Sequence, residues 1–143
     1  MFEFHGWATI RLPEGDAAFK PIGRGPGYDA MKRLRQAING AHDEFCDFDV
    51  RRAGNGLVYL SAHGLRNHRY EPVIELFRWM AAELPGSYGL LYVHDDEDGR
   101  RGSEFGNEFR VWRLARGRCE EMADPFLSPY IPTVEEAGGG DPA

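Results

Sequence analysis

The sequence predicts an α+β fold: an antiparallel sheet of about five strands with two helices packed on one of its faces. Two segments repeat apolar residues at helical spacing, and several shorter segments have the period of strands. Their order along the chain is strand, helix, strand, strand, helix, strand, strand. That order is the split βαβ plan of ferredoxin-like folds, with one further strand paired onto the fourth. Both helices are therefore expected on the same face of the sheet.

The first part of the chain is predicted to form a strand, a loop and a helix. Even-numbered residues from 2 to 12 are apolar, apart from Gly6, and the odd-numbered residues are mostly polar, so one face of this strand is dry. Residues 13–27 hold three prolines and four glycines and are predicted to be a loop. A helix is predicted over 28–39, where apolar residues recur at helical spacing, and Gly40 ends it.

The middle of the chain is predicted to form a hairpin and the second helix. Strands over 44–52 and 57–62 flank Asn55-Gly56, a dipeptide typical of two-residue hairpin turns. A wide apolar stripe predicts a helix over 70–85, which ends at Pro85-Gly86.

The last third of the chain is predicted to contain two strands, over 88–93 and 109–115, joined by the polar loop 95–107. An apolar, proline-spaced segment follows at Asp124–Pro132. It can be neither a helix nor a central strand, because its prolines lack backbone donors. We expect this segment to pack on the sheet.

Composition limits the classes of function. A chain of 143 residues with 42% hydrophobic residues can build one core, so 1–136 are predicted to form a single domain and 137–143 a disordered tail. The net charge of −6 argues against a general nucleic-acid binder, and it favours a basic partner or simply solubility. The sequence has neither a recognisable signal peptide nor an apolar span, so we expect a cytoplasmic protein that binds no membrane.

Helices on one face leave the other face of the sheet uncovered, and we call this the open face. Strand parity places Trp7, Tyr59 and Tyr92 on it, an apolar patch that a soluble monomer rarely leaves bare. For the last strand, the even-numbered residues, with Trp112, and the odd-numbered residues, with Phe109, are equally apolar. The sequence therefore does not decide which of the two sets lies on the open face. Three explanations stay open: the proline-spaced segment folds over the face, the face is a protein interface, or it stacks bases as a small RNA-binding or regulatory module. The negative charge and the lack of an RNA-recognition motif count against the third.

Acidic residues provide a second candidate surface. The run Asp95, Asp96, Glu97, Asp98 does not fit a calcium-binding EF-hand register, because positions 1 and 12 of that loop would be His94 and Phe105. Three interpretations of the run stay open: a solvated loop, a weak calcium site that is not an EF-hand, or an acidic surface that attracts a cationic partner, with Asp47 and Asp49 beside it.

No pattern in the sequence indicates catalysis. The five histidines lack the spacing of metal ligands, the serines lack a nucleophile elbow, and no glycine-rich segment fits a phosphate loop. Residues 62–69, which contain two histidines and two arginines, are interpreted as a polar loop before the second helix. A carboxylate pair that only the fold brings together is invisible at this level. We expect no enzymatic activity, no metal and no cofactor.

Four segments carry a resemblance: Met1–Ile10, Gly86–Tyr92, Leu114–Gly117 and Asp124–Pro132. In this order, and over nearly the whole chain, they are similar to the immunity protein 7 family of bacterial polymorphic toxin systems. The chain departs from the family's pattern between residues 13 and 27 and after Glu135.

The resemblance implies a small α+β protein that is encoded beside a toxin, binds the toxin's C-terminal domain in the cytoplasm and blocks it. It implies no catalytic residues and no cofactor, and it does not identify the toxin's activity or the oligomeric state. Charge favours a nuclease toxin, because nuclease domains present cationic grooves that an acidic inhibitor complements. The predicted anchors are Trp7, Tyr59 and Tyr92 if the open face docks, and the acidic residues named above if a loop or edge docks.

Overall fold

The structure, a computed structural model, describes residues 1–13 and 25–137. Within these residues the chain forms six strands and three α-helical segments. In chain order they are β1 (Phe2–Thr9), α1 (Pro26–Ala41), β2 (Cys46–Arg52), β3 (Val58–Arg66), α2 (Glu71–Glu83), β4 (Tyr88–Asp95), β5 (Phe109–Ala115), β6 (Arg118–Ala123) and α3 (Tyr130–Thr133). The predicted α+β fold class is confirmed.

All six strands pair antiparallel in one sheet, in the order β2-β3-β1-β4-β5-β6. Strands β2, β3, β1 and β4 reproduce the ferredoxin-like arrangement, and β5 is added onto β4 as the sequence predicts. Strand β6 was not predicted from the sequence, which indicated about five strands. Its residues show no clear alternation, and its turn at Arg116-Gly117 lacks the usual Asn or Asp, although both residues have positive φ.

Helices α1 and α2 pack against each other and against the face of the sheet to which most of the apolar side chains point. Phe4 and Leu91 are fully buried in the same cluster as Leu34 of α1 and Phe77 of α2. Trp112 also points into this core, at 2% exposure, which decides the parity of β5 that the sequence left open. The other parity of β5 therefore lies on the open face.

Strand β3 continues past its predicted end at Ala62 and reaches Arg66. The register places His63 directly opposite His5 of β1. The interpretation of residues 62–69 as a loop is therefore wrong for its first half. The reason is local: Gly64 suggests a break in the strand, but it is required there because a Cβ would lie 2.4 Å from the ring of Phe4.

The proline-spaced segment packs on the sheet, as predicted, and a buried carboxylate fixes its start. Asp124 accepts hydrogen bonds from the backbone N–H groups of Phe126 and Leu127, both at 2.9 Å, and from the hydroxyl of Ser128 at 3.0 Å. The Ser128 hydroxyl in turn accepts from the backbone N–H of Phe109 at 2.9 Å. Asp124 thus joins the segment to β5.

Further along, the segment contains one helical turn, α3, although the sequence excluded a helix here. Ile131 inside this turn has extended φ and ψ. The prolines therefore prevent a regular helix, as expected, but allow a single irregular turn. Asn107 donates to the carbonyl of Ile131 and accepts from its N–H. The predicted disordered tail, 137–143, falls almost wholly outside the described residues, which end at residue 137. Among the described residues, no helix is long and apolar enough to cross a membrane.

Candidate partner-binding face

The open face of the sheet carries the three predicted aromatic anchors. Cross-strand pairing puts the outward residues in rows that run across the sheet. One row contains Asp47, His63, His5, Tyr92, Val111 and Met122; the next contains Asp49, Ser61, Trp7, Leu90, Arg113 and Glu120; a third contains Arg51, Tyr59, Thr9 and Tyr88. The face therefore has an apolar centre on β1 and β4, with carboxylates on both edge strands.

Trp7 is the most exposed of the three aromatic anchors, at 46%, and its ring contacts a second exposed aromatic ring. Its ring meets Tyr88 edge to face, with centroids 6.2 Å apart, and Tyr88 is itself 41% exposed. The guanidinium of Arg11 lies 5.9 Å from the Tyr88 ring. A hydrogen bond with the side chain of Thr9 lowers the pKa of the Tyr88 hydroxyl. These contacts hold two large amphipathic side chains in place at the solvent boundary.

Tyr59 and Tyr92 are half-buried on the same face. Tyr92 meets Phe109 edge to face at 6.4 Å, and Tyr59 pairs across strands with Thr9 on one side and Arg51 on the other. Both rings are supported by neighbours, which is the condition under which an aromatic side chain presents contact area at low entropic cost.

The proline-spaced segment covers one corner of the open face and leaves the rest uncovered. Tyr130 stacks on His94 with centroids 3.9 Å apart and also contacts Phe109. The other large apolar residues of the segment that we expected to fold back remain exposed: Phe126, Leu127 and Ile131. The segment therefore extends the exposed apolar surface instead of closing it.

The acidic run divides into two buried and two exposed residues. Asp95 and Asp98 are buried; Asp95 pairs with Arg69 at 3.1 Å and Asp98 with Arg100 at 2.9 Å. Burial alone would raise the pKa of Asp98, but the hydrogen bonds from Arg100 outweigh it and hold the pKa below its ordinary value. Asp95 and Asp98 thus serve the fold of the loop.

The exposed members of the run are Asp96 and Glu97, with about half of each side chain accessible. Asp96 binds the amino group of Met1 at 2.6 Å, which raises the pKa of that amine, and Glu97 bonds to His68 at 2.7 Å. Oxygens of Asp95, Asp96 and Glu97 lie within 4.8 Å of one another, a spacing that could hold a cation. Each of them already has a basic partner within the chain.

Asp47 and Asp49 lie on β2, at the edge of the open face and away from the acidic loop. Asp47 is exposed and stands opposite His63, whereas Asp49 is half-exposed and bonded to Arg51. The structure thus separates the predicted site residues into two groups. Trp7, Tyr59, Tyr92, Asp47 and Asp49 share the open face, whereas Asp95 is the last residue of β4 and Asp96, Glu97 and Asp98 lie in the loop that follows.

The acidic loop is attached to the sheet by an ion-pair network that the sequence did not reveal. Arg100 binds both Asp98 and Glu121, and Glu121 also accepts from Arg110 at 2.9 Å. The guanidinium of Arg110 lies 3.7 Å from the ring centre of Phe105. Burial opposes the charge of Glu121, but its bonds to the two arginines lower its pKa. The network joins the loop to β5 and β6.

A pair of histidines at the centre of the open face also escaped the sequence analysis. The Nδ1 atoms of His5 and His63 lie 2.8 Å apart, and Nε2 of His5 lies 2.6 Å from a carboxylate oxygen of Glu3. Strand alternation places His5 on the open face and, if β3 is extended to Leu65, His63 as well. Only the register of β1 and β3 shows that the two histidines are directly opposite each other.

The two thiols offer no obvious catalytic nucleophile. Burial raises the pKa of both Cys46 and Cys119, whereas reactive cysteines have a lowered pKa. Cys46 is buried against the Arg66 side chain, and Cys119 is half-buried on β6. The most distinctive surface of the described residues is therefore the aromatic open face, with Asp47 and Asp49 at its β2 edge.

Comparison with known proteins agrees with this picture of a binding protein. Neither the curated proteins nor the solved structures include a match to the chain. The family model described as immunity protein 7 matches residues 1–136, which is nearly the whole sequence. The chain belongs to the immunity protein 7 family.

Proposed function

We propose that this protein neutralises a cognate bacterial polymorphic toxin by binding the toxin's C-terminal domain, without catalysis, through its open face. The single observation that supports this surface is the exposed Trp7–Tyr88 pair at the centre of an otherwise well-packed sheet. The family supplies the immunity role. Residues 1–136 would act as one unit, in the cytoplasm of the toxin-producing cell.

The energetics of such an interface depend on a few residues. Tight toxin–immunity complexes reach dissociation constants of about 10⁻¹³ M or below. In interfaces of this kind, losing one central aromatic or charged anchor costs about 2 to 7 kcal/mol. Trp7 is the strongest candidate because it combines a large ring, substantial exposure and a supporting neighbour. Tyr59 and Tyr92 would flank it.

The charges around the open face favour a basic protein partner over nucleic acid. On the β2 edge Asp47 and Asp49 outnumber Arg51, so phosphate groups would be repelled there, whereas on the β6 edge Arg118, 3.8 Å from Glu120, offsets that carboxylate. A cationic groove, such as that of a nuclease toxin, is complemented by the same arrangement. This is why we favour a protein partner over base stacking.

The proposal is tested by co-expressing the chain in bacteria with the toxin domain encoded by the adjacent gene. The expected results are restored growth, co-purification and 1:1 stoichiometry in calorimetry. A Trp7→Ala, Tyr88→Ala double variant should lose protection while its unfolding midpoint changes little. Lys32→Ala, an exposed change on α1 on the opposite side of the sheet, is the matched control and should protect fully.

Two results would contradict the proposal. If the wild-type chain gives neither protection nor a complex, the toxin partnership is wrong. If the double variant binds and protects as well as the Lys32→Ala control, the immunity role stands but the open face is the wrong surface.

A further inference from the structure

We propose that His5 and His63 form a binding site for a divalent transition metal of square-planar or octahedral preference, Cu²⁺ or Ni²⁺. The inference depends on the geometry of β1 and β3 alone and does not rest on the proposed function. Both histidines are exposed on the open face, so a metal ion reaches them from solvent without any opening of the core.

The distance between the two rings fits coordination of one ion. His5 and His63 are directly opposed in the antiparallel pair, and their Nδ1 atoms are 2.8 Å apart. Two metal–nitrogen bonds of about 2.0 Å place their nitrogens about 2.8 to 3.3 Å apart, so a small rotation of the two rings lets both nitrogens bind one ion. Nitrogen donors bind Cu²⁺ and Ni²⁺ more tightly than the earlier divalent ions of the first transition row, so these two ions are the ones to test.

Glu3 sets the protonation of the pair in the required way. Its carboxylate oxygen lies 2.6 Å from Nε2 of His5, so Nε2–H donates to Glu3, and in the neutral ring Nδ1 of His5 then carries the lone pair. When both rings are neutral, Nδ1–H of His63 donates to that lone pair. Metal binding replaces this hydrogen bond: His63 transfers its proton from Nδ1 to the solvent-facing Nε2 side through water, and both Nδ1 lone pairs then face the ion. No net proton is released.

The remaining coordination positions would be filled by water. The carboxylate of Glu3 would remain in its orienting role behind His5.

The site is tested with Cu²⁺ and Ni²⁺ added to the full chain, measured by calorimetry and, for Cu²⁺, by electron paramagnetic resonance. The expected result is one equivalent bound, with hyperfine structure from two nitrogens. His5→Gln and His63→Gln should each abolish that signal, and Glu3→Gln should weaken affinity by about 10-fold or more while leaving the number of nitrogens unchanged. Circular dichroism checks that the variants fold.

His42→Gln and His68→Gln are the matched controls, since both histidines are exposed and lie off this pair. They should bind as the wild type does. The proposal is overturned if the wild-type chain binds no ion, if either variant of the pair binds like the wild type, or if His68→Gln removes the ion, which would move the site to the acidic loop.

Discussion

The two faces of the sheet use the same strands for different purposes. On β1, Phe4 is fully buried under the helices, while Trp7, three residues on, is nearly half exposed on the other side. Both are large aromatic residues. They lie on opposite faces because even-numbered and odd-numbered side chains of the strand point in opposite directions. The helix-covered face is complete in itself, whereas the open face has aromatic surface that the rest of the described chain does not cover.

This difference indicates where stability and recognition lie. A substitution on the covered face removes packing that the fold needs, so its effect on binding is indirect. A substitution on the open face removes surface that packs against little, so its effect on folding is small and any effect on binding is direct. Measuring both the free energy of unfolding and the binding of matched pairs of variants tests this difference between the two faces.

The largest expected effect is that of Phe4→Ala against Trp7→Ala, two aromatic truncations on the same strand. Phe4→Ala leaves a cavity in the core and should lower the free energy of unfolding by about 3 to 5 kcal/mol. Trp7→Ala should cost no more than about 1 kcal/mol, which is the value of its contact with Tyr88. Urea denaturation measures both. Equal losses would mean that the open face is part of the core.

The start of the proline-spaced segment should matter more for stability than the residues that follow the segment. Asp124→Ala removes the acceptor for three donors, two of them backbone N–H groups, and should cost about 2 to 3 kcal/mol. Glu136→Ala, at an exposed position beyond the end of the segment, should change stability by less than about 0.5 kcal/mol. Hydrogen exchange at Phe126 and Leu127 should quicken only in the first variant. Unchanged exchange there would show that Asp124 does not hold the segment.

The architecture could be predicted because its causes are local. Alternation and helical spacing predicted the element order up to β5. A hairpin is present at Asn55-Gly56, with both residues at positive φ, although its loop has three residues, 54–56. The ferredoxin-like order of four strands follows from chain direction and short connections. The parity of β5 could not be predicted, because Trp112 fills the core while Phe109 is buried from the other side by Tyr130. The residues on both faces of that strand are therefore apolar, and the sequence pattern does not distinguish the two faces.

The site was less predictable because its features depend on partners far along the chain. Trp7 could be placed on the open face from β1 alone. The burial of Asp95 depends on Arg69, 26 residues earlier, and the pairing of His5 depends on His63, 58 residues later. A run of four acidic residues carries no sign of which two will be buried, so only the register and the loop path decide it.

The buried residue Asp98 should stabilise the fold in a way that depends on pH. The pKa values of Asp98 and Glu121 are both lowered in the folded state, so their stabilisation is complete above the unfolded values, about 4, and is lost as the pH falls through the lower folded values. Asp98→Asn should therefore cost about 1 to 2 kcal/mol at pH 7 and progressively less below pH 4. Urea midpoints at pH 7, 5 and 3 measure this difference. A cost that does not depend on pH would exclude the charge of Asp98 as its cause.

The smallest expected effect on stability comes from the exposed half, and it tests whether the loop attracts the toxin. Reversing Asp96 and Glu97 to lysine should change the free energy of unfolding by less than about 1 kcal/mol, since exposed ion pairs contribute little. If the toxin's surface is cationic, the same change should slow association up to about 10-fold at low salt, and the effect should fade as salt screens it. Stopped-flow association at two ionic strengths measures this, with Glu104→Lys as the control, an exposed carboxylate in the following turn. If the double reversal and the control associate at the same rate as the wild type, the acidic loop takes no part in recognition, and the open face with Asp47 and Asp49 remains as the surface that meets the partner.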